Sequence, residues 1–196
     1  MNNARSQRLS RRELVTDVLA WRGAALVVAG LGSPAWDLFA AGDAPENFYL
    51  WGAMGLAAPI GLGLALARPE RRVLVVTGDG EMMMGVGSLA VIGVEAPGNL
   101  SILVLDNESF AETGAQRGLT ASGVDLAAMA RAAGFADAVS VRDEVEAQAL
   151  PDILFKAPGP VLAVAKIALT QDASAYPSKD GAYLAGRFRE NLAGAR

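Results

Sequence analysis

The sequence of 196 residues contains no cysteine and no histidine. Without cysteine there is no disulfide, no Cys-ligated zinc and no Cys-ligated iron–sulfur cluster. Without histidine, no Ser-His or Cys-His nucleophilic machinery is contained in the chain. Aromatic residues are scarce at 6%, and charged residues make up 19% against 52% hydrophobic. The apolar content is therefore mainly Ala, Val and Leu, with 22 Gly besides, which suits helices packed closely on a buried parallel sheet. So apolar a chain also points to surface covered by another subunit. The net charge of −4 argues against an extended nucleic-acid footprint.

Two further absences concern targeting. Arg5, Arg8, Arg11 and Arg12 near the N-terminus are not followed directly by the apolar stretch of a secretory signal. The one uncharged run long enough to consider as a membrane span covers 47–67, but it contains Pro59 and four glycines. It reads instead as a buried strand followed by a Gly/Ala-rich helix. The expectation is a cytoplasmic protein with no membrane segment.

What is present is an alternation of strand and helix signals. Ser10-Arg11-Arg12-Glu13 has the S-x-x-E spacing of a capping box and opens a helix running to Trp21. Short β-rich runs at 25–29 and 47–50 flank a helix over 34–41, which Pro34 starts. A buried helix is expected over 52–67. The apolar runs 72–77 and 100–106 have the pattern of central parallel strands. Further helices are expected over 82–95, 125–133 and 143–156, strands over 138–141 and 160–167, and a polar loop over 107–123. The predicted fold class is α/β, an open, mostly parallel sheet with helices on both faces. One domain spans 1–170, and 171–196 forms a C-terminal extension with a helix over 181–192. In such sheets ligands bind at the carboxyl ends of strands, which brings together 30–33, 50–54, 78–81 and 107–116.

Gly78-Asp79-Gly80-Glu81 follows the strand at 72–77 and opens a helix. The glycines let backbone approach a ligand, and a helix N-terminus presents free N–H groups to phosphate. An aspartate there repels phosphate unless a cation sits between them, and Mg²⁺ binds one or two carboxylates plus phosphate oxygens. A second oxygen ligand should then come from the neighbouring strand end, where Asn107 lies. Taken alone, Gly-Asp-Gly is also a common turn. A dinucleotide fingerprint fails, because its third glycine position is Met83, although Asp106 stands where a ribose-binding acid would sit.

Gly78-Asp79-Gly80, 26 further residues and then Asn107 resemble the signature of thiamine-diphosphate enzymes, and in particular their diphosphate- and Mg²⁺-binding domain. The resemblance implies that Asp79 and Asn107 side chains and the Ser109 carbonyl hold Mg²⁺. It implies that Gly78, Gly80 and Glu81 line the diphosphate, the last two through backbone N–H groups. Phe110 would contact it too, though plain packing explains an aromatic there equally. Leu50-Trp51-Gly52-Ala53-Met54-Gly55 resembles the segment that holds the aminopyrimidine ring. Gly52 C=O would accept from the pyrimidine amino group. Met54, 24 residues before Gly78, would be the apolar wedge that bends the cofactor; alone it reads as a core methionine. Ser33 would lie near the diphosphate, although a Ser-Pro helix start explains the same residues.

The resemblance covers about residues 10–170 and only the half of the site that binds diphosphate and Mg²⁺. In this family the complementary half supplies a glutamate to the pyrimidine ring, and no acid here suits that role. A partner subunit with a pyrimidine-binding domain is therefore expected, giving a hetero-oligomer. Within the family the stretch 105–116 is most similar to sulfopyruvate decarboxylase beta subunits and to the C-terminal part of phosphonopyruvate decarboxylases. Those proteins follow the glutamine with Pro-Thr, whereas Arg117-Gly118 follows Gln116 here. The implied reaction is loss of CO₂ from a small 2-oxoacid, leaving an aldehyde. The alternatives are another thiamine-diphosphate lyase or carboligase subunit, or a cofactor-binding module without turnover. Glu112 or Thr113 would be near substrate, or Glu112 a solvated loop residue; Arg117 would pair with a sulfonate or phosphonate, or be an exposed arginine of little consequence.

Overall fold

The computed structural model describes residues 8–170, 172–173 and 175–194; Arg5 lies outside the described residues. Helix α1 (Arg11–Leu19) leads into strand β1 (Leu26–Ala29), then α2 (Ser33–Ala40), β2 (Asn47–Tyr49), α3 (Ala57–Ala67) and β3 (Val73–Gly78). Next come α4 (Asp79–Met84), α5 (Ser88–Glu95), β4 (Leu100–Asp106) and a small antiparallel pair, β5 (Ser109–Phe110) with β6 (Gln116–Arg117). The chain closes with α6 (Leu126–Ala132), β7 (Asp137–Val141), α7 (Glu144–Ala147), α8 (Leu150–Phe155), β8 (Val161–Lys166) and α9 (Gly181–Gly194).

The main sheet has six parallel strands in the order β2-β1-β3-β4-β8-β7. Strand β4 is buried along its whole length, which is why its sequence is apolar rather than alternating. Side chains of successive strand residues enter two cores. Leu26, Val28, Val75 and Ile102 pack with α3, α5 and α6. Val27, Leu74, Leu103 and Ala163 pack with α1, α2 and α8. Helices therefore cover both faces. Helix α9 folds back over edge strand β2: Phe188 packs on Phe48 with ring centroids 5.2 Å apart, and Arg187 pairs with Asp43 at 2.6 Å. A covered edge cannot recruit another strand. Among the described residues no helix is long and apolar enough to cross a membrane.

Several expected boundaries move. The helix expected over 52–67 begins only at Ala57. The preceding residues form a loop in which Ala53 and Gly55 adopt positive φ of 58° and 91°, a conformation no helix contains. The helix expected over 82–95 is two helices, and the first starts earlier, at Asp79. The break falls at Gly85, which caps the first helix and lies so close to the 50–56 loop that a Cβ there would overlap the Gly55 carbonyl oxygen. The helix expected over 143–156 is also two, with Pro151 in the first turn of the second. The region 107–123 contains β5, β6 and short 3₁₀ turns at Ala111–Thr113 and Thr120–Ser122. Ser10 takes the N-cap position of α1 without a side-chain cap bond, so no capping box forms. Entry into α1 is fixed instead by Leu9, whose N–H donates to Lys166 O at 3.3 Å and whose O accepts from Ala168 N–H at 2.9 Å.

Candidate functional site

The chain leaves β1 toward β2 on one side and resumes at β3 on the other, so the strand order reverses between β1 and β3. A crevice opens at the carboxyl ends of strands at such a point. A pocket of about 540 Å³ lies there, lined by Ser33, Met54, Gly78, Asp79, Gly80 and Glu81 from one side. Asn107, Ser109 and Phe110 close the other side. Its size suits a small-molecule ligand. Of the cofactor and metal candidates read from the sequence, only Gly52 is missing from the lining. It sits exposed in the 50–56 loop. A larger groove of about 980 Å³ lies between α1 and α7–α8 and contains none of the cofactor or metal candidates; the strand-end chemistry favours the smaller pocket.

The site is assembled from three segments. The turn from β3 into α4 presents Asp79, which is 3% exposed. Phe110, at the end of β5, lays its ring on Gly80: a Cβ there would stand 2.7 Å from Phe110 Cε1 and 3.8 Å from Met54 Cε. Only glycine permits that approach. The third segment is the 50–56 loop, held by Glu81. The Glu81 carboxylate accepts from Thr77 Oγ1 at 2.8 Å through Oε2, while its other oxygen is buried without a hydrogen-bond partner among the described residues. Burial pushes the Glu81 carboxyl up, and the Thr77 bond and the nearby Ala57 and Gly55 N–H groups oppose the rise. Met54, 38% exposed, is thereby carried beside Gly80 and Phe110.

Asp79 is the electrostatic anomaly. Burial first, and then the nearby Asp106 carboxylate, push its pKa up to about 6 from an ordinary 3.8. Among the described residues no ion pair includes Asp79; neighbouring Asp106 takes Lys166 Nζ at 2.6 Å. A buried carboxylate short of positive charge, at a strand end beside an amide, fits a hard divalent cation. The opposing ligand segment is a tight turn. Ser109 N–H donates to Asn107 Oδ1 at 2.9 Å, and Glu108 between them has φ of 61°. Gly118 N–H donates to Glu108 O at 2.8 Å and Ala115 N–H to Phe110 O at 3.0 Å, and neither bond uses the Ser109 carbonyl. Among the described residues no group of three or more His, Cys, Asp or Glu side chains is placed to hold a metal. The donors here are one carboxylate, one amide and one main-chain carbonyl, which suit Mg²⁺ rather than a transition metal.

The remaining candidates divide. Ser33 and Glu112 both line the pocket, and Ser33 Oγ donates to Glu112 Oε1 at 3.3 Å. Arg117 does not line it; its guanidinium donates to the Ala121 carbonyl instead. Thr120, absent from the sequence-based site, meets Asp79 directly, and Asp106, which Lys166 holds, stands behind it. Arg11 also reaches the pocket wall, buried and paired with Asp37 at 2.6 Å and Asp172 at 2.8 Å. These partners are far apart along the chain, so no local spacing announces them.

Comparison with known proteins bears on the family and the fold. The family described as thiamine pyrophosphate enzyme, C-terminal TPP binding domain, matches residues 35–165, a span that holds every site candidate except Ser33. The chain is 43% identical over 129 residues to sulfopyruvate decarboxylase subunit beta of Methanothermobacter thermautotrophicus, covering 66% of this chain and 67% of that one. With the subunit beta of Methanococcus maripaludis the identity is 34% over 158 residues, covering 81% and 84%. Phosphonopyruvate decarboxylase of Streptomyces viridochromogenes is 50% identical over 111 residues, but the chain spans only 28% of that protein. A solved structure from Mycobacterium smegmatis, described as thiamin diphosphate-dependent, superposes with a TM-score of 0.70 at 19% identity. It covers 83% of this chain and 32% of that one, and bears on the fold alone.

Proposed function

This chain belongs to the thiamine pyrophosphate enzymes, matching their C-terminal cofactor-binding domain, and on that premise we propose that it is the thiamine-diphosphate- and Mg²⁺-binding subunit of a 2-oxoacid decarboxylase. The substrate is sulfopyruvate or a similar three-carbon 2-oxoacid, the reading supported by the sulfopyruvate decarboxylase beta subunits it resembles. The observation that carries the site is the buried Asp79 carboxylate, without a cation partner among the described residues, facing Asn107 across the strand-end crevice.

Asp79 and Asn107 side chains and the Ser109 carbonyl hold Mg²⁺. Gly80 and Glu81 N–H groups, with Gly78 and Ser33 beside them, hold the diphosphate. Phe110 packs against Gly80 and closes that wall. Met54 would be the apolar wedge against the cofactor, and the Gly52 carbonyl, in the exposed 50–56 loop beside the pocket, would take the pyrimidine amino group. Once bound, the cofactor supplies the electron sink that lets a 2-oxoacid lose CO₂. The protein's part is to position the acid and keep the site dry.

A partner subunit completes the pocket. Its rim exposes large apolar side chains, Met54, Met84 and Leu119, which a second chain would cover. The acids lining the pocket among the described residues are Asp79, Glu81 and Glu112. The first faces the metal position, the second holds the 50–56 loop, and the third lies on the rim beside Ser33. None is left to face a pyrimidine ring. The test is a substrate panel on the reconstituted pair. Sulfopyruvate should release CO₂ faster than phosphonopyruvate or pyruvate. A preference for pyruvate with carboligation products would shift the reading to a carboligase subunit.

A further inference from the structure

Asp79 and Asn107 leave different strands, and a shared metal requires the two strand ends to be held in fixed relation. The structure contains a device suited to that. Thr120, 5% exposed in its 3₁₀ turn, lies 41 residues beyond Asp79. Its Oγ1 is 3.0 Å from Asp79 Oδ2 and 2.9 Å from Asp106 Oδ1. Asp106 is in turn fixed on both oxygens: Oδ1 accepts from Glu108 N–H at 3.0 Å, and Oδ2 accepts from Lys166 Nζ at 2.6 Å. Lys166 also pairs with Glu108 Oε1 at 3.1 Å, and Arg8 pairs with Glu108 Oε2 at 2.6 Å. The backbone joins in. Gly118 N–H donates to Glu108 O, and a Cβ on Gly118 would stand 3.0 Å from Asp79 Oδ2. The segment 118–120 is therefore laid directly against the Asp79 carboxylate, and Arg117-Gly118, the pair that departs from the relatives' pattern, is where it enters.

We infer that Thr120 is a positioning residue for the metal: its single hydroxyl hydrogen, shared between Asp79 Oδ2 and the Asp106 carboxylate that Lys166 holds in place, sets the rotation of the Asp79 carboxylate that Mg²⁺ requires. The inference rests on the cofactor reading above. Outer-shell partners of this kind change metal affinity by about 10–100-fold when removed. Mg²⁺ demands near-ideal octahedral geometry, while Ca²⁺ accepts a loose one. A mispositioned carboxylate should therefore cost Mg²⁺ more than Ca²⁺.

The experiment is calorimetric titration of Mg²⁺, and separately Ca²⁺, into the full chain with its partner subunit and thiamine diphosphate. Thr120→Val should weaken Mg²⁺ binding by roughly tenfold or more and Ca²⁺ binding by less. Thr120→Ser should restore wild-type affinity, because the hydroxyl is what matters. Thr120→Ala, which adds no bulk beside the carboxylates, carries the same expectation if Thr120→Val does not fold. Wild-type Mg²⁺ affinity in the valine or alanine variant overturns the inference. So does a serine variant as weak as valine, or an equal loss for both cations. A wild-type protein that takes up no Mg²⁺ with the cofactor refutes the cofactor reading itself, a result distinct from these.

Discussion

At the scale of single residues, Asp79 makes a prediction whose sign is fixed by its environment. Its folded pKa, about 6, lies above its ordinary 3.8. In the cation-free protein its contribution to stability is therefore full below the lower value and lost as pH rises through the upper one. Burial also raises Asp37 and Glu81, so the wild-type curve alone does not isolate Asp79. The difference from Asp79→Asn does. Between about pH 5 and about pH 7.5, without divalent cation, the wild type should lose roughly 1 kcal/mol more unfolding free energy than Asp79→Asn. Urea denaturation at the two pH values checks it, and equal losses would remove Asp79 as the responsible group. Met54 makes a second prediction. It is more than a third exposed, so Met54→Ala should cost well under the 2–5 kcal/mol of a buried truncation while lowering turnover of the assembled enzyme at least tenfold, about 1.4 kcal/mol in the barrier. Full activity in that variant would take Met54 out of the wedge role. That Asp79, Asn107 and Ser109 line one pocket was legible because a spacing along the chain reports two adjacent strand ends. Thr120, Lys166 and Arg11 were not, because each meets its partner only through the fold.

At the scale of elements, the sequence was clearest where burial is uniform. The runs 72–77 and 100–106 are apolar because both faces of β3 and β4 are covered, and β4 begins and ends where expected. It was least clear where Gly and Ala dominate. Residues 52–56 carry the composition of a helix but form the loop that bears Gly52 and Met54, and nothing in their propensity marks the left-handed turn at Ala53 and Gly55. That loop depends on a glycine in another element. A methyl group at Gly85 would overlap the Gly55 carbonyl oxygen, and backbone cannot yield as a side-chain tip does. Gly85→Ala, normally favourable within a helix, should instead destabilise the protein by about 1–3 kcal/mol and weaken cofactor binding through the displaced loop. Thermal unfolding and cofactor titration of this variant test both halves, and a variant as stable as wild type would show that the loop adapts freely.

At the scale of the whole molecule, the fold class was legible from the alternation of strands and helices, but the strand order that creates the crevice was not. Placing β1 between β2 and β3, and β8 between β4 and β7, depends on which helix covers which face, and that is decided by packing across the chain. The same packing leaves one wall of the site open. Trp51, Met54, Leu56, Met84 and Leu119 all expose a third or more of their surface, and they lie on the pocket rim or in the adjoining loop. A site that must exclude water during decarboxylation cannot work with that wall exposed. The pocket's acids, moreover, are already engaged or on the rim. The isolated chain should therefore release no CO₂ from a 2-oxoacid, even saturated with thiamine diphosphate and Mg²⁺. Titrating in a subunit that carries a pyrimidine-binding domain should bring activity in, rising to a plateau at a fixed subunit ratio. Replacing the glutamate of that subunit should abolish turnover while leaving Mg²⁺ uptake by this chain in place. Steady CO₂ release from this chain alone would mean that its own residues complete the site, and the open wall would then need a different occupant.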